Sequence, residues 1–415
     1  MPGQQQPVAR VRGRRFPFHR RTDYVVAVLI VVVTLVVWLV LWDRSDIRNT
    51  SLVTGPAQVD IPVAPSSFPP SLAEVWQQPS TATPVPVVAG PNVVTAADGA
   101  VDGRDPLTGD VRWSYTRDLP LCTVSTAWNK VLAVYHRSNC NEVTALDDTT
   151  GARGPQRNGD AQLGTQLVSD GIYVTTTGPT LLDTWRSDLV QTAEYGTVPD
   201  FVNPNVQPRV DCTYGSVVAS PGLVGVLERC PGDPGDRLSV YRAAPKDSDA
   251  PEVLFSTVIG AHGSRVIAMN DQYVAVVVPG PSRVVVFNSQ TGAHLTEYPV
   301  SLPASDLTGN PPGLVVPTYA GSGAVYWYTG SSTVALSNID FHPLWSVSGT
   351  LGAGTAFVGR YLVPISNGLL VLNQATGARI GTIGVNRHGY AGPVALATLG
   401  PMVLEQRGNI LAALR

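Results

Sequence analysis

The sequence predicts an all-β fold, an eight-bladed β-propeller of four-stranded blades, preceded by one transmembrane helix. Three observations lead to this fold class. One five-residue turn recurs four times; short apolar strands separated by Gly- and Pro-rich turns fill residues 72–415; and residues 24–42 form one uncharged apolar run. Short strands separated by regular turns, without helical periodicity, are typical of all-β sandwiches and rings rather than of α/β proteins.

The recurring turn begins with Asp or Asn, continues with two variable residues and ends with Thr-Gly. It occurs at residues 105–109, 147–151, 288–292 and 373–377. The Asp or Asn side chain can cap the backbone two residues on, and Gly supplies the positive φ that closes the turn. The threonines of successive copies are 42, 141 and 85 residues apart. These gaps correspond to one, three and two steps of about 42–47 residues, the length of a propeller blade.

Eight blades fit the length of the ring, because residues 72–415 would give blades of 43 residues on average. A seven-bladed ring is the alternative, since the fourth unit is irregular. The chain ends after three strands, at residues 393–399, 402–406 and 410–414. We expect residues 72–78, which contain Trp76, to add the fourth strand and so remove an open edge. Two further tryptophans are predicted in outermost strands: Trp113 and Trp345.

Tyr24–Trp42 contains 19 consecutive uncharged residues. A helix of that length spans about 28 Å, close to the hydrocarbon thickness of a bilayer. The preceding residues 1–23 contain six arginines and one acid, Asp23, an imbalance that keeps the N-terminus in the cytoplasm and exports the remaining chain. A cleaved signal peptide is the alternative, but the apolar run is longer than a usual signal core and no small-x-small cleavage site follows it.

Residues 43–71 begin polar and become rich in Pro, Ser and Val, a composition that favours an extended, semi-rigid tether. Four parts are therefore predicted. They are a cytoplasmic Arg-rich tail (1–23), a helix spanning the cytoplasmic membrane (24–42), a tether (43–71) and a propeller in the periplasm or another extracytoplasmic space (72–415).

The charge balance excludes nucleic acid as a partner of the ring. The chain contains 28 basic and 31 acidic residues, and removal of the tail leaves 22 against 30. A net charge near −8 disfavours binding to nucleic acid or to anionic surfaces.

The four cysteines predict two disulfides within blades. Cys122 and Cys140 are 18 residues apart, and so are Cys212 and Cys230. Each pair begins near a predicted first strand and ends after a predicted second strand, and antiparallel neighbours at that separation can meet at disulfide distance. An even number of cysteines in an exported domain favours disulfides 122–140 and 212–230. The absence of a Cys-x-x-Cys pair disfavours a metal site.

The sequence contains no catalytic constellation. It lacks the His-Glu-x-x-His, Gly-x-Ser-x-Gly and phosphate-loop patterns. Asp247, Asp249 and Glu252 lie in one loop and Asp233 and Asp236 in another, but neither group has the ligand spacing of a calcium loop, so we expect solvated turns. We predict no catalytic, cofactor-binding or metal-binding residues. The sequence identifies neither the ligand-binding residues nor the binding face.

The Asp/Asn-x-x-Thr-Gly turn after an apolar strand, with Trp113 a few residues after the first copy, resembles the pyrroloquinoline-quinone-type propeller repeat. That family includes quinoprotein dehydrogenases and the propeller subunit of the outer-membrane protein assembly machine. The dehydrogenases commonly place adjacent cysteines over the quinone and calcium beneath it. Here no two cysteines are adjacent, so the prediction is a protein that is not an enzyme and has no cofactor.

The whole layout is similar to the membrane-anchored periplasmic propellers of mycolate-making actinobacteria. That resemblance implies a non-catalytic role in envelope assembly or in transport of a glycolipid, trehalose monomycolate, beside an RND-type exporter. Expected partners are an envelope glycolipid, a membrane transporter or envelope-assembly proteins, and the cytoplasmic membrane. A protein–protein scaffold is the first alternative and a quinone-dependent oxidoreductase the second. No binding residue can be carried over from the resemblance.

Overall fold

The computed structural model describes residues 21–43, 45, 48–199, 206–247 and 250–415. The chain divides into two compact units between Thr50 and Ser51. The first unit contains helix α1 (Arg21–Asp43), and the second contains the ring. Residues 1–20, which include most of the predicted cytoplasmic tail, lie outside the described residues.

Helix α1 is almost entirely apolar and is exposed along its whole length. Thr34 donates its hydroxyl to the carbonyls of Ile30 at 2.8 Å and Val31 at 2.9 Å, so this polar group is satisfied within the helix. Trp38 and Trp42 stack one turn apart, with ring centroids separated by 5.7 Å. By length and composition the helix can cross a membrane, although a signal sequence near an N-terminus meets the same criteria.

The second unit is a ring of eight antiparallel sheets, which confirms the eight-bladed propeller and rules out seven blades. Within most blades the strands follow one another in chain order. The first strands of most neighbouring blades contact each other, so they surround the central channel and the fourth strands lie at the rim.

The strands of the first half of the ring follow two strands of the N-terminal segment. They are β1 (Thr50–Val53) and β2 (Glu74–Pro79); in blade 1, β3 (Val87–Ala89), β4 (Asn92–Ala97), β5 (Ala100–Arg104) and β6 (Val111–Arg117); in blade 2, β7 (Leu121–Ala127), β8 (Lys130–Tyr135), β9 (Glu142–Asp147) and β10 (Arg153–Asn158); in blade 3, β11 (Leu167–Ser169), β12 (Val174–Thr176), β13 (Leu181–Trp185) and β14 (Gln191–Gly196); in blade 4, β15 (Thr213–Ser220), β16 (Leu223–Arg229), β17 (Arg237–Arg242) and β18 (Val253–Val258).

The second half continues the pattern and includes two short 3₁₀ helices, Ala304–Leu307 and Pro312–Leu314. Its strands are, in blade 5, β19 (Arg265–Met269), β20 (Tyr273–Val278), β21 (Arg283–Asn288) and β22 (His294–Pro299); in blade 6, β23 (Thr318–Ala320), β24 (Ala324–Tyr328), β25 (Ser332–Ser337) and β26 (Pro343–Ser348); in blade 7, β27 (Thr355–Phe357), β28 (Arg360–Ile365), β29 (Gly368–Leu372) and β30 (Arg379–Gly384); in blade 8, β31 (Val394–Leu399), β32 (Met402–Arg407) and β33 (Ile410–Leu414).

Strand β2 closes the ring by becoming the outermost strand of blade 8. It pairs antiparallel with β33, and Trp76 lies opposite Ala413. Beyond the strands, Ala73 and Arg415 exchange backbone hydrogen bonds of 2.8 and 2.9 Å. The predicted closure by residues 72–78 is therefore confirmed. It gives blade 8 four strands, although three of them come from the C-terminal end of the ring and one from its N-terminal end.

A buried ion cluster fixes β2 in this blade. Glu405 of β32 is completely buried and accepts hydrogen bonds from Arg387 at 2.8 and 2.9 Å and from Arg407 at 2.7 Å. Arg407 also pairs with Glu74 of β2 at 2.7 Å. Breaking a buried pair by removing one partner costs about 3–5 kcal/mol, because the remaining charge is left uncompensated. The cluster therefore couples the N-terminal strand of the ring to the C-terminal blade.

Each copy of the recurring turn packs its glycine against an aromatic ring of the preceding blade. The aromatic residue is always the third residue of that blade's outermost strand. A Cβ built on the glycine would lie 2.3–2.8 Å from the ring, and each glycine has a φ between 67° and 79°. The pairs are Gly109 with Trp76, Gly151 with Trp113, Gly292 with Phe255 and Gly377 with Trp345. We call this contact the blade dock.

Blade 6 contains a fifth copy of the turn that the sequence pattern does not reveal. Phe341 donates its N–H to the carbonyl of Ser337 at 3.0 Å, as Gly377 does to Asn373 at 2.9 Å. Phe341 has a φ of 59° and is buried. The third residue of the preceding outermost strand is Thr296, where the other docks have an aromatic ring. In this copy the large side chain therefore comes from the turn and the small one from the strand.

The segment predicted as an extended, semi-rigid tether contacts the ring at several points from residue 51 onward. Strand β1 is hydrogen-bonded to β6 and gives blade 1 a fifth strand. Gly55 donates its N–H to the carbonyl of Thr150 at 2.9 Å. Phe68 packs edge-to-face on Phe357 with centroids 6.1 Å apart. We call residues 51–72 the strap. Proline content indicates an extended chain, but it does not show that Phe68, which lies between two prolines, contacts the ring.

Substitution of Gly151 tests the blade dock. We expect Gly151→Ala to lower the free energy of unfolding by about 2–4 kcal/mol, because the new methyl group would overlap Trp113 and an Ala at positive φ is strained. Gly164→Ala is the matched control, since Gly164 also has a positive φ but open space beside it. It should cost about 1 kcal/mol. Equal losses in urea unfolding of the two variants would show that the dock contributes nothing.

Truncation tests the strap. A chain of residues 72–415 retains β2 but loses β1 and Phe68, so we expect its melting temperature to be several degrees below that of residues 51–415 in a thermal scan. The Val63→Ala variant of the longer chain is the control, because Val63 is 88% exposed. If the two chains melt at the same temperature, the strap does not stabilise the ring.

Candidate functional site

The two faces of the ring differ in the length of their connections. The turns between second and third strands and the connections between blades share one face, because antiparallel strands alternate in direction. We call it the loop face and the opposite side the turn face. The longest connections on the loop face join β14 to β15 (residues 197–212) and β22 to β23 (residues 300–317). Binding residues are concentrated in loops that a rigid scaffold positions, so the loop face is the candidate site.

The connection of residues 300–317, which we call the crossing loop, is held at its base by Arg265. This guanidinium donates to the carbonyl oxygens of Asp306 at 2.7 Å, Thr308 at 3.0 Å and Gly309 at 3.1 Å. Arg265 is buried, and burial followed by the nearby Arg229 lowers its pKa. The three carbonyls replace the water that the buried cation has lost.

The far end of the crossing loop contacts blades 3 and 4. Asn310 donates its amide N–H to the carbonyl of Tyr214 in blade 4 at 3.3 Å. Thr177 in blade 3 donates its hydroxyl to the carbonyl of Gly313 at 2.6 Å. The loop therefore leaves blade 5, reaches blade 3 and returns to β23 in blade 6. It lies on the loop face against blades 3, 4 and 5.

Both predicted disulfides are present on the loop face. Cys122–Cys140 lies in blade 2 with Cα atoms 5.8 Å apart, and Cys212–Cys230 in blade 4 with Cα atoms 4.2 Å apart. Each closes a loop of 18 residues, which corresponds to about 3 kcal/mol of lost denatured-state entropy in the chain-entropy model. The disulfides thus stiffen the loop face in blade 2 and in blade 4.

A buried carboxylate anchors the connection that precedes Cys212. Glu228 has no exposed surface and accepts hydrogen bonds from Arg209 at 2.9 Å, Ser239 at 2.6 Å and Tyr195 at 2.6 Å. Burial, then the charge of Glu228, raises the pKa of Tyr195, so the phenol stays a neutral donor. Arg209 is part of the connection itself, and the described part of this loop is therefore fixed to blade 4.

The channel wall is almost free of charge. The eight innermost strands contain a single charged residue, Arg265, at the loop-face end of β19. The guanidinium of Arg265 is hydrogen-bonded to three carbonyl oxygens of the crossing loop. The remaining side chains of these strands are aliphatic, aromatic, hydroxyl-bearing or thiol-derived, so the wall offers no fixed charge for an ionic ligand.

The acidic residues considered for calcium do not form a cation site among the described residues, which hold no group of three His, Cys, Asp or Glu that could bind a metal. Asp233 pairs with Arg237 at 2.8 Å. Asp236 is completely buried and accepts the N–H of Ser264 at 2.7 Å, so the solvated turn predicted for it is wrong. Ser264 lies just before the first strand of blade 5, and the spacing of acidic residues in the sequence cannot reveal this contact with Asp236. Glu252 pairs with Arg242, Asp247 is exposed, and Asp249 lies outside the described residues.

Asp183 is a buried carboxylate that the sequence did not single out. It lies in the middle of β13, and among the described residues the N–H of Asp160, at 3.2 Å, is the one donor to its Oδ2. Its Oδ1 has no donor. Burial, then the neighbouring Glu194, raises the pKa of Asp183 to about 7. The acid in the middle of the short strand Leu-Leu-Asp-Thr-Trp gives no sign in the sequence that both faces of the strand are covered.

Comparisons with known proteins show the fold and no family. No protein-family model and no curated protein matches the sequence. Three solved structures resemble the ring and each covers 83% of this chain. They are BamB from Moraxella catarrhalis (15% identity, 97% of that chain, TM-score 0.50), the computationally designed Ika8 protein (13%, 98%, 0.54) and Sqt1 from Saccharomyces cerevisiae (11%, 98%, 0.51). At these identities the similarity concerns the propeller fold alone.

Substitution of Arg265 tests how the crossing loop is held. Arg265→Met removes three charge-assisted hydrogen bonds, so we expect amide exchange of residues 304–314 to accelerate about 10- to 100-fold, measured by hydrogen–deuterium exchange with mass spectrometry. Arg242→Met, which breaks an exposed pair on blade 4, is the control and should leave the loop unchanged. Unchanged exchange in Arg265→Met would mean that other contacts hold the loop.

The raised pKa of Asp183 predicts that the free energy of unfolding falls as the pH rises. Its pKa is about 7 in the fold against an ordinary value of 3.8, so the folded state binds more protons than the unfolded state between these values. The loss between pH 4 and pH 7 is on the order of 4 kcal/mol. We expect Asp183→Asn to flatten this decline and to raise the melting temperature at pH 8. Asp98→Asn, at an exposed turn, is the control, and an equal effect of both variants would contradict the assignment.

Proposed function

We propose that the protein is a membrane-anchored, non-catalytic scaffold of the cell envelope, which holds the ring outside the cytoplasmic membrane to bind an envelope-assembly or transport protein. The observation that carries the proposal is a fully exposed apolar helix of 23 residues directly before a ring with two disulfides. Disulfides persist in oxidising compartments, so they support export of the ring, and the apolar helix supports its retention at the membrane.

The rigidity of the ring supports a scaffold. Blade docks join neighbouring blades, the ion cluster fixes the closing strand, and disulfides and buried carboxylates hold the described loop segments. Rigid surfaces lose little conformational entropy on binding, which favours recognition of another protein. The absence of a metal-binding group among the described residues and the uncharged channel wall give no support to quinone-dependent oxidation, which uses an anionic cofactor and calcium.

Glycolipid transport beside an RND-type exporter is the second candidate. The uncharged channel wall favours it, because a wall of aliphatic and hydroxyl side chains suits an acyl chain better than an ion. The crossing loop would then close one mouth of an apolar channel. This candidate requires a bound lipid, whereas the scaffold requires a bound protein.

Native mass spectrometry of the full-length protein, extracted from its own host membranes in mild detergent, separates the candidates. A stoichiometric complex with an envelope protein would support the scaffold. A glycolipid of defined mass that remains bound to the chain without another protein would support the carrier. An adduct of quinone mass, accompanied by calcium-dependent dye reduction, would contradict both. A bare chain in repeated preparations would overturn the proposed function.

A further inference from the structure

The carboxyl group of Asp183 lies at the junction of blades 2 and 3 among other acidic groups. Glu194 is directly opposite it in the pairing of β13 with β14, so the two side chains lie on the same face of the sheet. Asp160, in the connection between the two blades, donates its backbone N–H to Asp183 at 3.2 Å. Like charges directly opposite each other destabilise a sheet, so these surroundings oppose a negative charge on Asp183.

The positive charge nearest to this carboxyl group in the packing of blade 2, Arg157 of β10, is bound elsewhere. Its guanidinium donates to the side-chain oxygen of Gln191 and, at 3.4 Å, to the carbonyl of Leu189. Tyr241 in blade 4 is a further titratable group near Asp183, but burial raises the pKa of its phenol, so it stays neutral. The Oδ1 of Asp183 has no donor. The fold therefore favours the protonated, neutral carboxyl group.

The connection that binds Asp183 also holds a turn of blade 3. Residues 159–166 join blade 2 to blade 3 on the loop face, and we call them the brace. The side-chain amide of Gln162 donates to the hydroxyl of Thr180 at 2.8 Å, and its oxygen accepts the N–H groups of Thr180 at 3.0 Å and Leu181 at 3.2 Å. The brace thus fixes the turn that precedes β13, the strand of Asp183.

The end of the brace holds the crossing loop on blade 3. Gln166 donates its backbone N–H to the hydroxyl of Thr177 at 2.8 Å, and this hydroxyl donates to the carbonyl of Gly313 at 2.6 Å. The side chain of Gln166 also lies against Gly313, since a Cβ built on this glycine would be 2.4 Å from it. One short segment therefore connects Asp183 with the crossing loop.

We propose that Asp183 is a proton-operated latch of the crossing loop: the neutral carboxyl group keeps the brace bound between blades 2 and 3, and loss of its proton to the solvent releases the brace and, with it, the crossing loop from blade 3. Arg265 and Asn310 keep the loop attached to blades 5 and 4. The inference goes beyond the proposed function, because it applies whichever partner or lipid meets the loop face.

Proton linkage determines the pH range of the latch. Burial, then the charge of Glu194, raises the pKa of Asp183 to about 7, against an ordinary value of 3.8. The bound state of the brace therefore holds more protons than the released state between these values. It is most favoured near pH 4 and loses this advantage as the pH rises to 7. Above pH 7 both states are ionised, and the released fraction stays constant.

Hydrogen–deuterium exchange with mass spectrometry tests the latch on the full-length protein in mild detergent. Exchange rates are measured from pH 5 to pH 8 and corrected for the chemical exchange rate at each pH. We expect exchange of the brace and of residues 313–316 to accelerate at least about tenfold between pH 5 and pH 7 and then to level off. Strand β25 of blade 6 should keep its protection, which distinguishes a local release from a loss of global stability.

Four variants separate the parts of the latch. Asp183→Asn should remove the pH dependence of both segments, whereas Asp98→Asn, at an exposed turn of the loop face, is the matched control and should keep the wild-type profile. Glu194→Gln removes the opposing charge and should move the transition to lower pH, which keeps the test decisive if Asp183→Asn does not fold. Thr177→Val breaks the link to Gly313, so the crossing loop should exchange fast at every pH while the brace keeps its pH dependence.

The latch would be refuted by a wild-type brace whose corrected exchange does not change with pH, or by an Asp183→Asn variant with the wild-type profile. An acceleration shared by all strands would also refute it, since it would reflect global unfolding alone. If residues 313–316 keep their pH dependence in Thr177→Val, the brace does not control the crossing loop and the inference fails.

Discussion

The ring depends on the contact between an aromatic side chain at the rim of one blade and a glycine in the turn of the next. The turn itself is local: Asp147 caps the N–H groups of Thr149 and Thr150, and Gly151 closes it at positive φ. The contact with Trp113 converts this local turn into a joint between blades. A buried aromatic ring removes 150–250 Å² of surface from water. One contact of this kind therefore fixes both the spacing and the angle of two sheets.

The ends of the ring use the same contact and add electrostatics to it. Trp76 docks on Gly109 and joins blade 8 to blade 1, although its own strand comes from the N-terminal side of the chain. The charge of the fully buried Glu405 is compensated by Arg387 and Arg407, and Arg407 also pairs with Glu74 of the closing strand. Four blade docks and the buried ion cluster together restrict how the closed ring can deform. This rigidity is the physical basis for proposing a scaffold whose loops and outer edges meet a partner in a fixed geometry.

Local chemistry allowed the sequence to predict the blades, their closure and the disulfides. Two of these features are local: the turn is formed by five consecutive residues, and each disulfide joins cysteines 18 residues apart. The closure was predictable because Trp76 occupies the same position in its strand as Trp113 and Trp345 do in theirs. The turn at residues 337–341 was missed because it has Ser337 where the other copies have Asp or Asn, and Phe341 where they have Gly. The burial of Asp236 and Asp183 and the contact of Thr177 with Gly313, 136 residues away, depend on neighbouring blades. Composition alone also could not separate a free tether from the strap.

The exchange of residue sizes between Thr296 in β22 and Phe341 in the turn of blade 6 allows the most direct test of blade docking. In residues 51–415, Trp345→Thr and Gly377→Phe should each lower the free energy of unfolding by about 3 kcal/mol, the first by loss of burial and the second by overlap with Trp345. The double variant recreates the Thr296–Phe341 arrangement. We expect it to recover at least about 1 kcal/mol relative to the sum of the single losses in a double-mutant cycle. Additive losses would contradict the claim that this contact joins the blades.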